Sequence, residues 1–420
     1  MLTPEQLQRM PKQLMQIMED LEADILADIC RRLKLSGTVT ESALHQMRML
    51  AEQGYSQQYI EKRIRQAMEL GRAEIDAMFD EAIRRNEEFL KRALDKQDIT
   101  TPQRNWKSAL DNQVEAIRKQ THDDFRNITQ SMGFAIHTGG VKPKFYGVAQ
   151  VYQRALDRVT MEVVTGTIDY NTAIRNAVTD LAGSGLQYVN YASGHRDHAD
   201  VAVRRAVMTG VTQCAGRMSE NAMDLLGTRY VEVEAHSGAR DTGTGYFNHK
   251  SWQGKWYYWS LHEEPDPLGK YDDFIRTTGY GEGGGLCGWN CRHLWYPVIP
   301  GLDEPKYTQE QLDNIDPPPI EWKGKKYTSY AARQKQREDE RKMRKYKRLM
   351  IAHNAAGNED DYKYYQARLK KLSKEYKEFS AKAGLPLQMN RAVVKQADQD
   401  SMKKALEKKA KREARQARKK

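Results

Sequence analysis

The stretch Glu234-Ala235-His236-Ser237-Gly238-Ala239-Arg240 opens a segment, ending near Pro300, that is unlike the rest of the chain. It continues through Trp252-Gln253-Gly254-Lys255 and Thr278-Gly279-Tyr280-Gly281. It closes with Gly285-Leu286-Cys287-Gly288-Trp289-Asn290-Cys291-Arg292-His293. Glycine, tryptophan, histidine and cysteine are concentrated here. Tyr230 to Glu234 alternates and is β-branched, so it reads as a strand; Lys255 to Ser260 and Leu294 to Val298 are two further candidates. Tyr271 to Thr277 reads as one helix. The segment is a small α+β module with few regular elements, closed by Pro300-Gly301 and Pro317-Pro318-Pro319.

Upstream the chain is helical. Leu7, Met10, Leu14, Ile17, Met18, Leu21, Ile25 and Ile29 recur every three or four residues, which predicts one helix over 4–34. Thr40 is placed to cap a short helix, 41–52, that Gly54 breaks, and Ser56 to cap a long one reaching Leu94. Thr101-Pro102 opens a helix over about 104–132. Helices follow at about 145–165 and 171–183, with Asn171 as a cap. Tyr188 to Gly194 reads as extended. Another helix runs from His198 or Asp200 to Leu226.

Downstream, Arg333 to Ala352 and Asp360 to Ala383 read as charged helices, and the chain ends in a basic run. Residues 321–420 hold 31 of the 68 Lys+Arg and 13 of the 57 Asp+Glu, a net of +18, so residues 1–320 carry a net of −7. An acidic body with a basic arm suits a polyanion partner. Lys408, Lys409, Lys411, Arg412, Arg415 and Arg418 are the candidate nucleic-acid contacts, through phosphate rather than base edges. A solvated helix and an acidic protein surface are the competing readings of the same run.

The fold class is mainly α with a small α+β module. The expected organisation is a helical N-terminal region over 1–183, the module over 184–305, a Pro-containing linker over 306–332 and a basic helical tail over 333–420. The charged fraction of 30% and the mean hydropathy of −0.83 agree with long exposed helices. No apolar run has the length a bilayer span needs, and no signal peptide is expected. Four cysteines are too few for a disulfide scaffold.

Cys287, Cys291 and His293 offer two thiolates and an imidazole within seven residues. With His236, or else His249 or His262, they make a candidate structural zinc site, because zinc takes mixed Cys/His sets in a tetrahedron. Packing cysteines in a glycine turn are the competing reading. A cysteine nucleophile would pair Cys287 or Cys291 with His236 or His293, oriented by Asn290 or Asp273. Gly281 to Gly285 lacks the lysine and context of a phosphate loop and reads as a flexible loop. Trp252, Trp256, Trp259, Trp289 and Trp295 read as a compact aromatic core.

These module motifs, taken in order with Tyr191-Ala192-Ser193-Gly194 and Val203-Arg204-Arg205-Ala206-Val207-Met208-Thr209-Gly210-Val211, resemble the phage minor capsid protein 2 family. The resemblance covers roughly residues 1–305. It implies a virion protein of tailed phages or prophages, made in the host cytoplasm and built into the head beside the portal. In role this is similar to the Mu F-like head morphogenesis proteins. The portal and other capsid components are the implied partners, and genomic DNA and self-association through helices fit the residues. No established enzymatic activity comes with the family, so no catalytic residue is assigned. A Cys/His-dependent enzyme or toxin-like domain, and a nucleic-acid-binding protein outside virions, are the rival readings.

Overall fold

A computed structural model describes residues 2–36, 43–96, 105–138, 142–165, 167–189, 194–260, 264–397 and 399. In chain order these form α1 (Pro4–Arg9), α2 (Lys12–Ser36), α3 (Ala43–Lys96), α4 (Asn105–Gln130), β1 (Met132–Ile136) and β2 (Lys144–Gly147). Then come α5 (Val148–Val164), α6 (Tyr170–Ser184), β3 (Gln187–Val189), β4 (Arg196–His198), α7 (Ala199–Leu225) and β5 (Tyr230–Val233). They are followed by α8 (His249–Trp252), β6 (Trp256–Tyr258), α9 (Phe274–Thr278), β7 (Trp295–Val298) and α10 (Gln309–Asp313). The last are β8 (Ile320–Trp322), β9 (Lys325–Tyr327), α11 (Ser329–Ala355) and α12 (Glu359–Lys382). The chain is mostly helical, with small antiparallel sheets, as its periodicity predicts. Among the described residues no helix is long and apolar enough to cross a membrane.

Several boundaries differ from the sequence reading, each for a local reason. The helix expected over 4–34 is two helices, because Pro11 brings no N–H and opens a new start. α1 is closed by a capping box, in which Thr3 Oγ1 accepts the Gln6 N–H and Gln6 Oε1 accepts the Thr3 N–H. α3 runs through Gly54 without a break; a lone glycine costs a helix only about 1 kcal/mol against alanine. Ser56 is not a cap but donates to the buried Asp28 carboxylate at 2.8 Å. Asp169, rather than Asn171, caps α6 by accepting the Thr172 N–H at 3.1 Å. Thr40, Thr101 and Tyr191 to Ser193 lie outside the described residues.

The chain groups into two compact units. One comprises Gln16–Glu69, Ile128–Asp200 and Lys335–Lys420. Its sheet has the order β2-β1-β3-β4, antiparallel throughout, with Phe134 opposite Tyr146 and Met132 opposite Tyr188. α5 and α6 pack on β1 and bury Val151, Leu156, Val159, Ile174, Val178 and Leu181. In the same unit Ala23 and Ala27 of α2 cluster with Ile351, Val394 and Ala397, while Met343 packs on Tyr376 and Ala392.

The other unit comprises Met1–Met15, Leu70–Asn127 and Val201–Gln334. Close approach among its helices is made by glycine. A Cβ on Gly210 of α7 would lie 2.1 Å from Thr121 Oγ1 of α4, and one on Gly71 of α3 would lie 2.4 Å from the Phe125 ring. The sheet β6-β5-β7 is antiparallel, with Val231 opposite Tyr257 and Pro297. All three strands of the module thus form where alternation and aromatic content put them.

Candidate metal centre

One face of α7 is the platform on which the module is built. Thr212 Oγ1 donates to the Cys287 carbonyl at 3.2 Å, and Ser219 Oγ to the Trp295 carbonyl at 2.8 Å. Between them Gly216 leaves room for Tyr280, whose hydroxyl donates to Glu220 at 2.8 Å. Positions 212, 216, 219 and 220 follow the helical repeat, so a single stripe anchors both β7 and the glycine turn.

That turn was expected to be flexible and is instead tightly hydrogen-bonded. Leu286 N–H donates to the Thr278 carbonyl at 2.9 Å, Trp289 N–H to Gly283 at 2.8 Å, and Cys291 N–H to Gly288 at 3.1 Å. The packing demands glycine: a Cβ on Gly285 would stand 2.1 Å from the Gly279 oxygen. Cys287 and Asn290 take left-handed backbone, with φ of 60° and 59°. Such strain in non-glycine residues is held only where the surroundings over-determine it.

The turn delivers Cys291 and His293 to the first residue of α8. His249, Cys291 and His293 are all buried, and their ligand atoms lie within 4.8 Å of one another. Cys291 Sγ is 3.5 Å from His293 Nδ1 and 3.9 Å from His249 Nδ1. The outer nitrogens are fixed by carbonyl oxygens. His249 Nε2 donates to the Gly284 carbonyl at 3.0 Å, and His293 Nε2 to Gln253 Oε1 at 2.9 Å. The Gln253 amide is itself oriented, because Oε1 also accepts the backbone N–H of His236 at 3.0 Å. Both imidazoles therefore turn a bare Nδ1 toward the thiol. Trp252 closes the site, its ring 4.6 Å from His249 and 4.9 Å from His293. Such a group can hold a metal ion.

Of the residues read from sequence, Cys291 and His293 are in this group. Cys287 is the adjacent buried thiol, pointing at the His293 carbonyl at 3.8 Å. His236 stacks on His293 with ring centroids 4.3 Å apart, and its Nδ1 faces Arg292 Nη2 at 3.2 Å and the Ser237 carbonyl at 3.0 Å. Asp316 pins the His236 turn by accepting the Gly238 N–H at 2.7 Å and the Ser237 hydroxyl at 3.1 Å. His249 is one of the three histidines offered as a further ligand. The Trp252-Gln253-Gly254-Lys255 motif, whose polar groups beside glycine turns read as fixing loop geometry by side-chain hydrogen bonds, does so through Gln253 and the His236 N–H. His262 and the six basic residues from Lys408 to Arg418 lie outside the described residues.

The electrostatics disfavour a nucleophile. Burial pushes the Cys287 and Cys291 thiols up, Cys287 well above the ordinary range, so neither is a ready thiolate. Burial also lowers His249 to about 4 and His236 to about 3, and puts His293 well below its ordinary value. Asp273, considered as an orienting group, caps α9 by accepting the Arg276 N–H at 2.6 Å. Of the five tryptophans of the expected aromatic core, Trp252, Trp256 and Trp295 are buried and Trp259 packs on Phe274 and Trp295, with ring centroids 5.1 Å and 5.3 Å away, but Trp289 is 63% exposed.

The class defined by this fold and site is a long-helix protein carrying a closed, metal-competent Cys/His module. The family model described as phage minor capsid protein 2 matches residues 2–381, and the chain belongs to that family. The match runs well past residue 305, where the resemblance was expected to end, and takes in α11 and almost all of α12. No curated protein and no solved structure matches the chain.

Proposed function

We propose that this chain is a structural minor component of the phage head, placed beside the portal, whose basic C-terminal part reaches packaged DNA. The observation that carries this reading is the family match over nearly the whole chain. A role in structure rather than turnover is supported by the site: its thiols are buried, and its imidazoles are clamped by carbonyls. In this reading the Cys/His group serves the module's stability, with zinc as occupant. DNA contact is supported by charge. Besides the run at 408–418, α12 exposes Lys363, Arg368, Lys370, Lys371, Lys374 and Lys377. These suit phosphates by charge alone.

The test is protein mass spectrometry and immunoblotting of gradient-purified mature particles, followed by capture of the tagged chain with purified portal. The expected result is a fixed, low copy number per particle and co-elution with portal. Absence from mature particles would withdraw the head assignment; presence without portal binding would withdraw the placement.

A further inference from the structure

The two histidines of the buried group set a problem that the protein atoms alone do not solve. Gly284 offers His249 only a carbonyl, so His249 Nε2 must carry the proton and Nδ1 must be a lone pair. Gln253 Oε1 accepts a backbone N–H, so it is the amide oxygen, and the same reasoning leaves His293 Nδ1 bare. Both lone pairs face one sulfur, at 3.5 Å and 3.9 Å. A thiol has one proton, and it satisfies at most one of them. A buried acceptor without a donor costs roughly 1–3 kcal/mol. A cation between the three atoms satisfies all of them at once.

We infer that the module holds one tetrahedral zinc ion through Nδ1 of His249, Nδ1 of His293 and the thiolates of Cys291 and Cys287, with Gly284 and Gln253 orienting the imidazoles. The inference rests on the structural-metal reading above and adds the ligand set. His249 takes the place considered for His236, whose Nδ1 is occupied by Arg292 and Ser237. Three ligand atoms lie within 4.8 Å of one another, and charge, rather than that clustering, assigns the fourth position. Zinc with two neutral imidazoles and one thiolate keeps a charge of +1, which is costly in a site whose ligands are 1–3% exposed. Arg292 lies beside it, which makes a residual positive charge worse. A second thiolate neutralises the centre, and Cys287 is the buried thiol aimed at the same His293 carbonyl that Cys291 approaches. The left-handed backbone at Cys287 and the hydrogen bond from Thr212 to its carbonyl hold that residue in place. Binding forms two Zn–S and two Zn–N bonds, and both thiol protons leave to solvent. The carbonyl partners of Nε2 are the outer contacts that metal-bound histidines use to fix tautomer and orientation.

The experiment is metal analysis of the full chain, purified reduced, with His249→Ala, Cys291→Ser and Cys287→Ser, and with Cys214→Ala as a buried-thiol control. Expected is about one zinc per chain, kept in the control and lost or much weakened in the three ligand variants. Zinc kept undiminished in His249→Ala or Cys287→Ser would overturn the ligand set while leaving a structural metal standing. No stoichiometric zinc in the wild-type chain would overturn both. Because a ligand variant can misfold, the wild-type chain loaded with cobalt gives an independent reading. Two thiolates give sulfur-to-cobalt bands of two-sulfur intensity and release of two protons on loading. One-sulfur intensity with one proton would remove Cys287 from the set.

Discussion

Gln253 Oε1 accepts the Nε2–H of His293 at 2.9 Å, and this bond decides which nitrogen of His293 faces Cys291. The glutamine is 2% exposed and reads the backbone N–H of His236 with the same oxygen. One side chain thus couples β5's exit to the turn that carries the cysteines. We predict that Gln253→Leu leaves every proposed ligand in place yet lowers metal affinity about 10–100-fold, the usual effect of losing an outer contact. Competition with a chromophoric chelator measures it. Affinity equal to wild type would mean that His293 is oriented by packing against Trp252 and His236 instead.

The glycine turn gives a prediction that does not depend on metal. Gly285→Ala puts a methyl 2.1 Å from the Gly279 oxygen, backbone against backbone, where nothing flexible can yield. The expected loss is about 3 kcal/mol or more, the upper range for overpacking. Gly227→Ala makes the comparison: its φ is +61° but its Cβ would meet open space, so only the left-handed penalty of about 1–2 kcal/mol applies. Urea unfolding of both variants checks the ranking. Equal losses would show that the turn relaxes around the added methyl.

How much of this was legible in the sequence depended on pattern length. α7, α11 and α12 show clear helical patterns, and β5, β6 and β7 alternate or are strongly aromatic, so they formed where expected. β1 was hidden because Met132-Gly133-Phe134-Ala135-Ile136 is a continuous apolar run joined to a helical pattern, and a fully buried strand has no alternation to show. The hairpin of β8 and β9 turns on Lys323 and Gly324, both with positive φ, a two-residue signal too small to stand out in a charged stretch. Cys291 and His293 could be read as a pair because a single residue separates them. His249 lies 42 residues from Cys291, and only the seating of α8 against the turn singles it out from the other histidines. Gln253 stands in a motif legible only as one that fixes a loop, since an amide becomes a tautomer clamp only when an imidazole is placed on it.

Charge buried in the unit that holds the four-stranded sheet makes stability depend on pH. Arg344 donates to Glu19 at 3.2 Å and pairs with Asp200 at 3.0 Å, while Arg348 lies 3.4 Å from Glu22. Burial raises Glu19 to about 8 despite Arg344, and Asp200 and Glu22 add to the rise. The unfolded chain releases this proton near 4.5 and the folded chain holds it to about 8. Between those values the folded state binds one proton more, so stability is full below the lower value and falls as pH rises through the higher. The slope is at most about 1.4 kcal/mol per pH unit. We predict that Glu19→Gln, which keeps an oxygen for Arg344, flattens this decline in denaturation series from pH 5 to 9. An unchanged slope in the variant would assign the dependence to another group.

The basic C-terminal part predicts a salt effect that separates two candidate contact surfaces. Residues 400–420 contain ten Lys and Arg, and α12 exposes six more between Lys363 and Lys377. Each phosphate neutralised on duplex DNA contributes about −0.9 to the slope of log affinity against log salt. If the run at 408–418 makes the contact, deleting 400–420 makes the slope shallower by several units. Replacing Lys370, Lys371 and Lys374 by Glu would then have a smaller effect. The reverse order moves the contact to α12, which lies almost wholly within the family match and packs through Tyr376 rather than through its exposed lysines. No salt-dependent binding by the intact chain would remove DNA as a partner and leave an acidic protein surface for this charge to meet.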